Sequence, residues 1–202
     1  EIKVEAGRIG TMLHDVFFDI LNGKVPKVDE KYYGAINAFQ EYLVTSGLHI
    51  AGAEFPVASR EHQFGGLPDA LAYYEVDDEN NPGKKRKSWG VLDWKTSKGC
   101  YAPMGLQTAG GYRICIEEMY GIKIEWTKII RFAKEAPFGF EVYGVTDLDA
   151  AKESFLAALA LFKAFTPLDK KGSDFLKLEY QDLDTDRTIK VSKDLASGGV
   201  GF

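Results

Sequence analysis

The chain has 202 residues, 45% of them hydrophobic and 13% aromatic, which is enough apolar material for one buried core and too much for a disordered or fibrous protein. Its formal net charge of −5 means that any contact with nucleic acid has to come from local basic clusters rather than from the overall field. Its two cysteines, Cys100 and Cys115, exclude a four-cysteine zinc or iron–sulfur site, and no apolar run approaches the eighteen or so residues of a membrane span.

The stretch Glu1-Ile2-Lys3-Val4-Glu5 lacks the basic and then apolar layout of a signal peptide, so a cytoplasmic protein is expected. From Gly7 to Leu21 apolar residues fall at positions 9, 12, 13, 16, 17, 20 and 21, the spacing of an amphipathic helix, with Thr11 as its cap and Asn22-Gly23 as its stop. His14 lies at the edge of that stripe, where a histidine is ordinarily packed or hydrogen-bonded. A second helix is predicted from Lys31 to Ser46, with Tyr33, Ile36, Phe39, Leu43 and Val44 on its apolar face and Gly47 as its stop. Leu48 to Ser59 reads as a strand with Glu54 near its middle. An ionised acid there has to be exposed, paired with a base such as Arg60, or held at a charged site, because burying it alone is costly.

Two strand-like runs follow, one from Gly65 to Glu75 and one from Ser88 to Lys98, with the turn signal Asn81-Pro82-Gly83 between them, and a β-hairpin is predicted. Centring the loop near Asn81 sets Asp69 opposite Asp93. Opposed side chains on antiparallel strands have Cβ atoms roughly 5 Å apart. Both carboxylates then reach one cation at the roughly 2.1 Å that Mg²⁺ demands, and the cation removes their mutual repulsion. Alternation puts Lys95 on the face of Asp93 and sends Trp94 into the core. The loop carries Lys84, Lys85, Arg86 and Lys87, a solvated charge run that can also contact phosphates.

A further helix is expected from Met104 to Tyr120. Gly110-Gly111 inside it costs roughly 1 kcal/mol per glycine relative to alanine, which points to close approach of the sheet or of a substrate backbone. Tyr112 follows Gln107 by five residues, turning it about 140° away on an ideal α-helix. Ile122 to Lys134 and Phe138 to Val145 form an antiparallel pair about Glu135-Ala136-Pro137, and Asp147 caps a helix from Leu148 to Phe165. Residues 1–166 are expected to form one domain and residues 167–202 a polar extension or tail.

Pro68-Asp69 on one strand and Asp93-Trp94-Lys95 on the next resemble the PD-(D/E)xK nuclease superfamily. Gly10-Thr11-Met12-Leu13-His14 and the Gln107 to Tyr112 segment are similar to elements of its RecB-like and phage-type exonucleases. The resemblance spans roughly Gly10 to Phe165 and implies an α/β, restriction-endonuclease-like sandwich with a central mixed sheet flanked by helices. It implies a DNA nuclease dependent on Mg²⁺ or Mn²⁺, an exonuclease acting on DNA in recombination, repair or phage DNA processing, alongside a recombination partner protein. His14, Asp69, Asp93 and the backbone carbonyl of Trp94 are implied as metal ligands, Lys95 beside the attacking water, Gln107 near the site, and Glu54 and Tyr112 as additional members. The four-cysteine iron–sulfur cluster of some relatives is not open to this chain. The competing class is a catalytically silent nucleic-acid-binding or assembly module on the same fold. Loss of an acid or of the lysine would mark it, and none is lost.

Overall fold

The structure, a computed structural model, describes the backbone of residues 2–171, 179–181 and 188–190 and the side chains of residues 5–165. The chain divides into two units, 1–156 and 157–202. The first contains helices α1 (Ile2–Leu21) and α2 (Tyr33–Thr45), strands β1 (His49–Ala53), β2 (Val57–Ser59), β3 (Phe64–Gly66), β4 (Ala70–Asp77) and β5 (Lys85–Lys95), helices α3 (Ala102–Leu106) and α4 (Arg113–Tyr120), and strands β6 (Ile124–Phe132) and β7 (Phe140–Gly144). Helix α5 (Leu148–Lys171) starts in the first unit and continues into the second, where β8 (Glu179–Gln181) pairs antiparallel with β9 (Thr188–Lys190). The expected tail from Ser197 to Phe202 lies outside the described residues.

Five strands form one mixed sheet in the order β1-β4-β5-β6-β7, with β5 and β6 parallel and the other pairs antiparallel. Alternation divides it into two faces. Leu92, Trp94, Ala70, Ala72, Ile130 and Phe132 pack under α1 and α2, where Phe17 stacks on Phe39 at 4.1 Å and Phe39 meets Trp94 edge-on at 5.4 Å. On the other face Leu71, Val91 and Ile124 pack against Val57, Tyr112, Cys115 and Ile116. The predicted α/β sandwich with a central mixed sheet is therefore what the chain forms.

Several local expectations are corrected. Helix α1 begins at Ile2, so Thr11 is not its cap; the Thr11 hydroxyl instead donates to the Gly7 carbonyl one turn back at 3.3 Å. Gly23, with φ of 75°, ends the helix as expected. In α2, Tyr33 and Val44 are exposed, and the buried positions are Ala35, Ile36, Ala38, Phe39 and Tyr42, a stripe rotated toward Trp94. The Gly110-Gly111 pair answers neither the sheet nor a substrate: a Cβ at Gly110 would lie 2.5 Å from the Phe155 Cβ and 2.8 Å from the Ala151 carbonyl, so the pair admits the first turns of α5. The α5 cap is as expected, with the Ala150 amide donating to Asp147 Oδ1 at 2.8 Å.

The strand expected from Leu48 to Ser59 is two strands. β1 stops at Ala53, Glu54 takes a left-handed φ of 44°, and β2 leaves to pair with β3 in a separate two-stranded sheet. Within β1 the register slips by one residue between Ile50 and Gly52, from Ile50 opposite Ala72 to Ala53 opposite Ala70. A one-residue slip exchanges the two faces of a strand. Ile50 therefore faces the α1–α2 core while Glu54, four residues on, emerges on the face of Asp69. The Glu54 amide donates to the Asp69 carbonyl at 3.0 Å and continues the pairing.

Candidate active site

Asp69 immediately precedes β4, and the register that pairs Ala70 with Leu92 and Leu71 with Val91 extends to set Asp69 opposite Asp93. The two acids come from the first residue before one strand and the third-last residue of the next, at the carboxyl end of β5, where the crossover through α3 and α4 leaves toward the parallel strand β6. Open α/β sheets present ligand crevices at that end. Both acids are buried, Asp69 being 8% and Asp93 2% exposed.

Each acid is held by specific partners. Asp69 Oδ2 accepts from the Trp94 backbone amide at 2.5 Å, and Asp69 Oδ1 lies 3.1 Å from His14 Nδ1. Asp93 Oδ2 forms an ion pair with Lys95 Nζ. Trp94 itself is core, as its position in the alternation predicted. The amide and carbonyl of one strand residue point to the same edge, so the Trp94 carbonyl shares the edge from which its amide meets Asp69.

One ligand atom from each of His14, Glu54 and Asp69 lies within 4.8 Å of the others, so these three side chains can hold a metal ion. The donor chemistry fits: carboxylates suit Mg²⁺ and Mn²⁺, and imidazole adds affinity for the transition metal. The spacing fits as well, because two adjacent ligands of an octahedral ion at ~2.1 Å are separated by roughly 3.0 Å, close to the 3.1 Å between His14 Nδ1 and Asp69 Oδ1. Asp93 is outside this triad, with Lys95 as its nearest charged partner. Glu54, which the sequence left between a paired surface acid and a site residue, stands at the site.

The electrostatics describe a place short of positive charge. Burial, and then the charge of Asp69, push the Asp93 carboxyl up to about 6 against the pull of Lys95. Glu54 is raised by burial and by Asp69. For His14 the largest influence is burial, which lowers it, but the hydrogen bond and charge of Asp69 together outweigh burial and leave it raised. With His14 neutral, as a metal ligand has to be, three carboxylates (Glu54, Asp69, Asp93) against one ammonium (Lys95) leave two negative charges, the deficit a divalent ion would cancel.

The Gln107 to Tyr112 segment departs from the expectation of one continuous α-helix. Those six residues form a π-helical turn between α3 and α4. Bonding from i to i+5 brings residues five apart one above the other, so Tyr112 is not rotated away. The Gln107 amide donates to the Tyr112 hydroxyl at 2.7 Å. Tyr112 is buried, its ring lying where a Cβ on Gly66 would approach within 2.6 Å. Burial, followed by the charges of Asp93 and Asp69, raises its hydroxyl well above the ordinary tyrosine range.

The basic run sits elsewhere. Lys85 starts β5 and Asp93 is eight residues along it, roughly 26 Å at 3.3 Å per residue. Lys85 pairs with Asp77, Arg86 makes two hydrogen bonds to Glu125 at 2.5 and 2.9 Å, and Lys87 lies over the Tyr73 ring at 4.2 Å. These cations serve the far end of the hairpin and do not adjoin the carboxylates. A cavity of about 510 Å³ lined by Arg113, Lys123, Glu125 and Asp149 contains none of the predicted site residues, and Arg113 in it is already bound to Glu117 and Asp149. Among the described residues no helix is long and apolar enough to cross a membrane.

No family model matches this sequence, and no curated protein does. Among solved structures the chain is similar to a "putative exonuclease" from Eubacterium rectale at 12% identity and a TM-score of 0.42, over 90% of this chain and 85% of that one.

Proposed function

We propose that this protein is a metal-dependent nuclease that hydrolyses phosphodiester bonds in DNA as an exonuclease. The observation that carries the reading is the meeting of Asp69 and Asp93 across the hairpin with Lys95 on the same face, while His14 and Glu54 arrive from α1 and the end of β1. In this reading His14, Glu54, Asp69, Asp93 and the Trp94 carbonyl hold Mg²⁺ or Mn²⁺. The ion, when bound, lowers the pKa of a coordinated water and stabilises charge on the phosphate. Asp69 is kept in the ligating orientation by the Trp94 amide on its other oxygen. Lys95 has three N–H donors and no lone pair, so it orients the water and balances charge developing on the phosphoryl oxygens. Gln107, with its amide N–H committed to Tyr112, offers its carbonyl oxygen as an acceptor for a water proton.

Linear and circular DNA of the same sequence, incubated with Mn²⁺, test the reading. Shortening of the linear form alone is expected. Nicked circles would make the enzyme an endonuclease, and binding of DNA without cleavage in any divalent ion would make it a binding module. His14 gives a second check. Its replacement by alanine should weaken Mn²⁺ more than Mg²⁺ in calorimetric titration, because imidazole favours the transition metal. A His14→Ala protein with unchanged affinity for both ions and a lower melting temperature would return His14 to a packing role.

A further inference from the structure

Lys95, Arg131 and Glu141 stand side by side on β5, β6 and β7, since the registers pair Lys95 with Arg131 and Arg131 with Glu141. Paired residues share a face, so all three project with Asp93 toward the candidate active site. Neighbouring strands are about 4.8 Å apart, and like charges on paired positions destabilise a sheet. Here two cations are neighbours, and each has an acid: Asp93, two residues back on β5, for Lys95, and Glu141, across on β7, for Arg131. Across β5, β6 and β7 the row reads cation, cation, acid, and it brings two cations together in a chain whose net charge is −5.

Arg131 is fixed more firmly than a surface arginine. Its Nε donates to Glu141 Oε2 at 2.7 Å, the Tyr143 hydroxyl donates to the same oxygen at 2.5 Å, and Arg131 Nη1 reaches the Ser97 carbonyl at 3.4 Å, on the segment that leaves Lys95. Those hydrogen bonds, that from Arg131 first, pull the Glu141 carboxyl down to about 2, so it stays ionised. The side chains of Lys95 and Arg131 are 21% and 18% exposed, so neither is sealed from solvent.

We propose that Lys95 and Arg131 form a two-cation seat for a phosphodiester of the DNA strand beside the one being cut, with Glu141 and Tyr143 as positioning residues for the Arg131 guanidinium. The proposal rests on the nuclease reading and supplies what the charge balance lacks, a cationic contact for a polyanion next to the carboxylates. A planar, permanently charged guanidinium held at Nε and Nη1 keeps its Nη2 N–H groups for phosphate oxygens.

Anisotropy of a labelled single-stranded oligonucleotide, titrated without divalent ions across a salt series, tests it on the parent, Arg131→Met and Arg131→Lys. Each phosphate contact contributes about 0.7 to the slope of log affinity against log salt on single strands. Arg131→Met should flatten the slope by about that amount and weaken binding about tenfold at physiological salt, and Arg131→Lys should keep the slope. In Mn²⁺-dependent digestion the loss in Arg131→Met should appear more in KM than in kcat. An unchanged slope in Arg131→Met, with or without a lower melting temperature, overturns the seat and leaves Arg131 a structural pin for the Ser97 segment. If the parent still digests DNA in that case, the nuclease reading survives. A parent that neither binds the oligonucleotide nor digests DNA overturns both.

Discussion

Asp69→Asn will give a folded protein that no longer responds to Mn²⁺ and does not cut DNA. The substitution removes one charge and almost no volume. The asparagine carbonyl still accepts from the Trp94 amide, and the Glu54 amide bonds to the backbone at position 69 whatever its side chain. What disappears is the charge that, after burial, raises Glu54 and Asp93, together with the charge that holds His14; the two losses oppose each other, so the metal-free variant should melt close to the parental temperature. An ion at a hundred times its Kd stabilises a protein by about 2.7 kcal/mol. For a chain of this size that raises the melting temperature by roughly 5–10 °C. The parent should show that rise on adding Mn²⁺ and Asp69→Asn should not. An equal rise in both proteins would place the ion elsewhere.

The site was legible where it depends on the period of two. Once the loop centre is fixed near Asn81, the pairing of Asp69 with Asp93, the partnership of Asp93 with Lys95 and the burial of Trp94 follow from alternation alone. Where the backbone leaves its regular period, the same reasoning fails. Glu54 faces Asp69 because of an extra residue near Gly52, and Tyr112 faces Gln107 because of a π-helical turn. Each is a one-residue irregularity that exchanges faces, and neither has a composition of its own. The Gly110-Gly111 pair did signal a close approach, but its partner, Phe155 of α5, is set by tertiary packing. Arg131 carries no signal in the sequence, because its place beside Lys95 depends on a register with β5 across a parallel crossover, which no turn residue fixes. The Lys84 to Lys87 run is conspicuous for its charge density, yet the length of β5 carries it to the end of the hairpin away from the carboxylates.

The lysine separates catalysis from binding. Lys95→Ala should keep Mn²⁺, because the ammonium is not a ligand and the triad of His14, Glu54 and Asp69 is untouched. Asp93, with its side chain 3% exposed, loses its only ion-pair partner among the described residues, so the metal-free variant should be destabilised. Removing one partner of a buried pair typically costs about 3–5 kcal/mol. Mn²⁺ restores a counter-charge beside Asp93 and should recover most of that loss, which makes the metal-loaded protein the right one in which to measure rate. There the deficit is in the transition state: loss of one preorganised electrostatic donor costs on the order of 10² to 10³ in rate, about 3 to 4 kcal/mol. Single-turnover digestion of linear DNA at saturating Mn²⁺ should therefore be at least a hundredfold slower than in the parent, while DNA affinity falls only by the share of one phosphate contact. Adding more metal should not close the gap. A Lys95→Ala protein that cuts at the parental rate would leave the two carboxylates as a metal site without this catalytic partner, and the Asp93-Trp94-Lys95 pattern would then be no more than an ion pair along one strand.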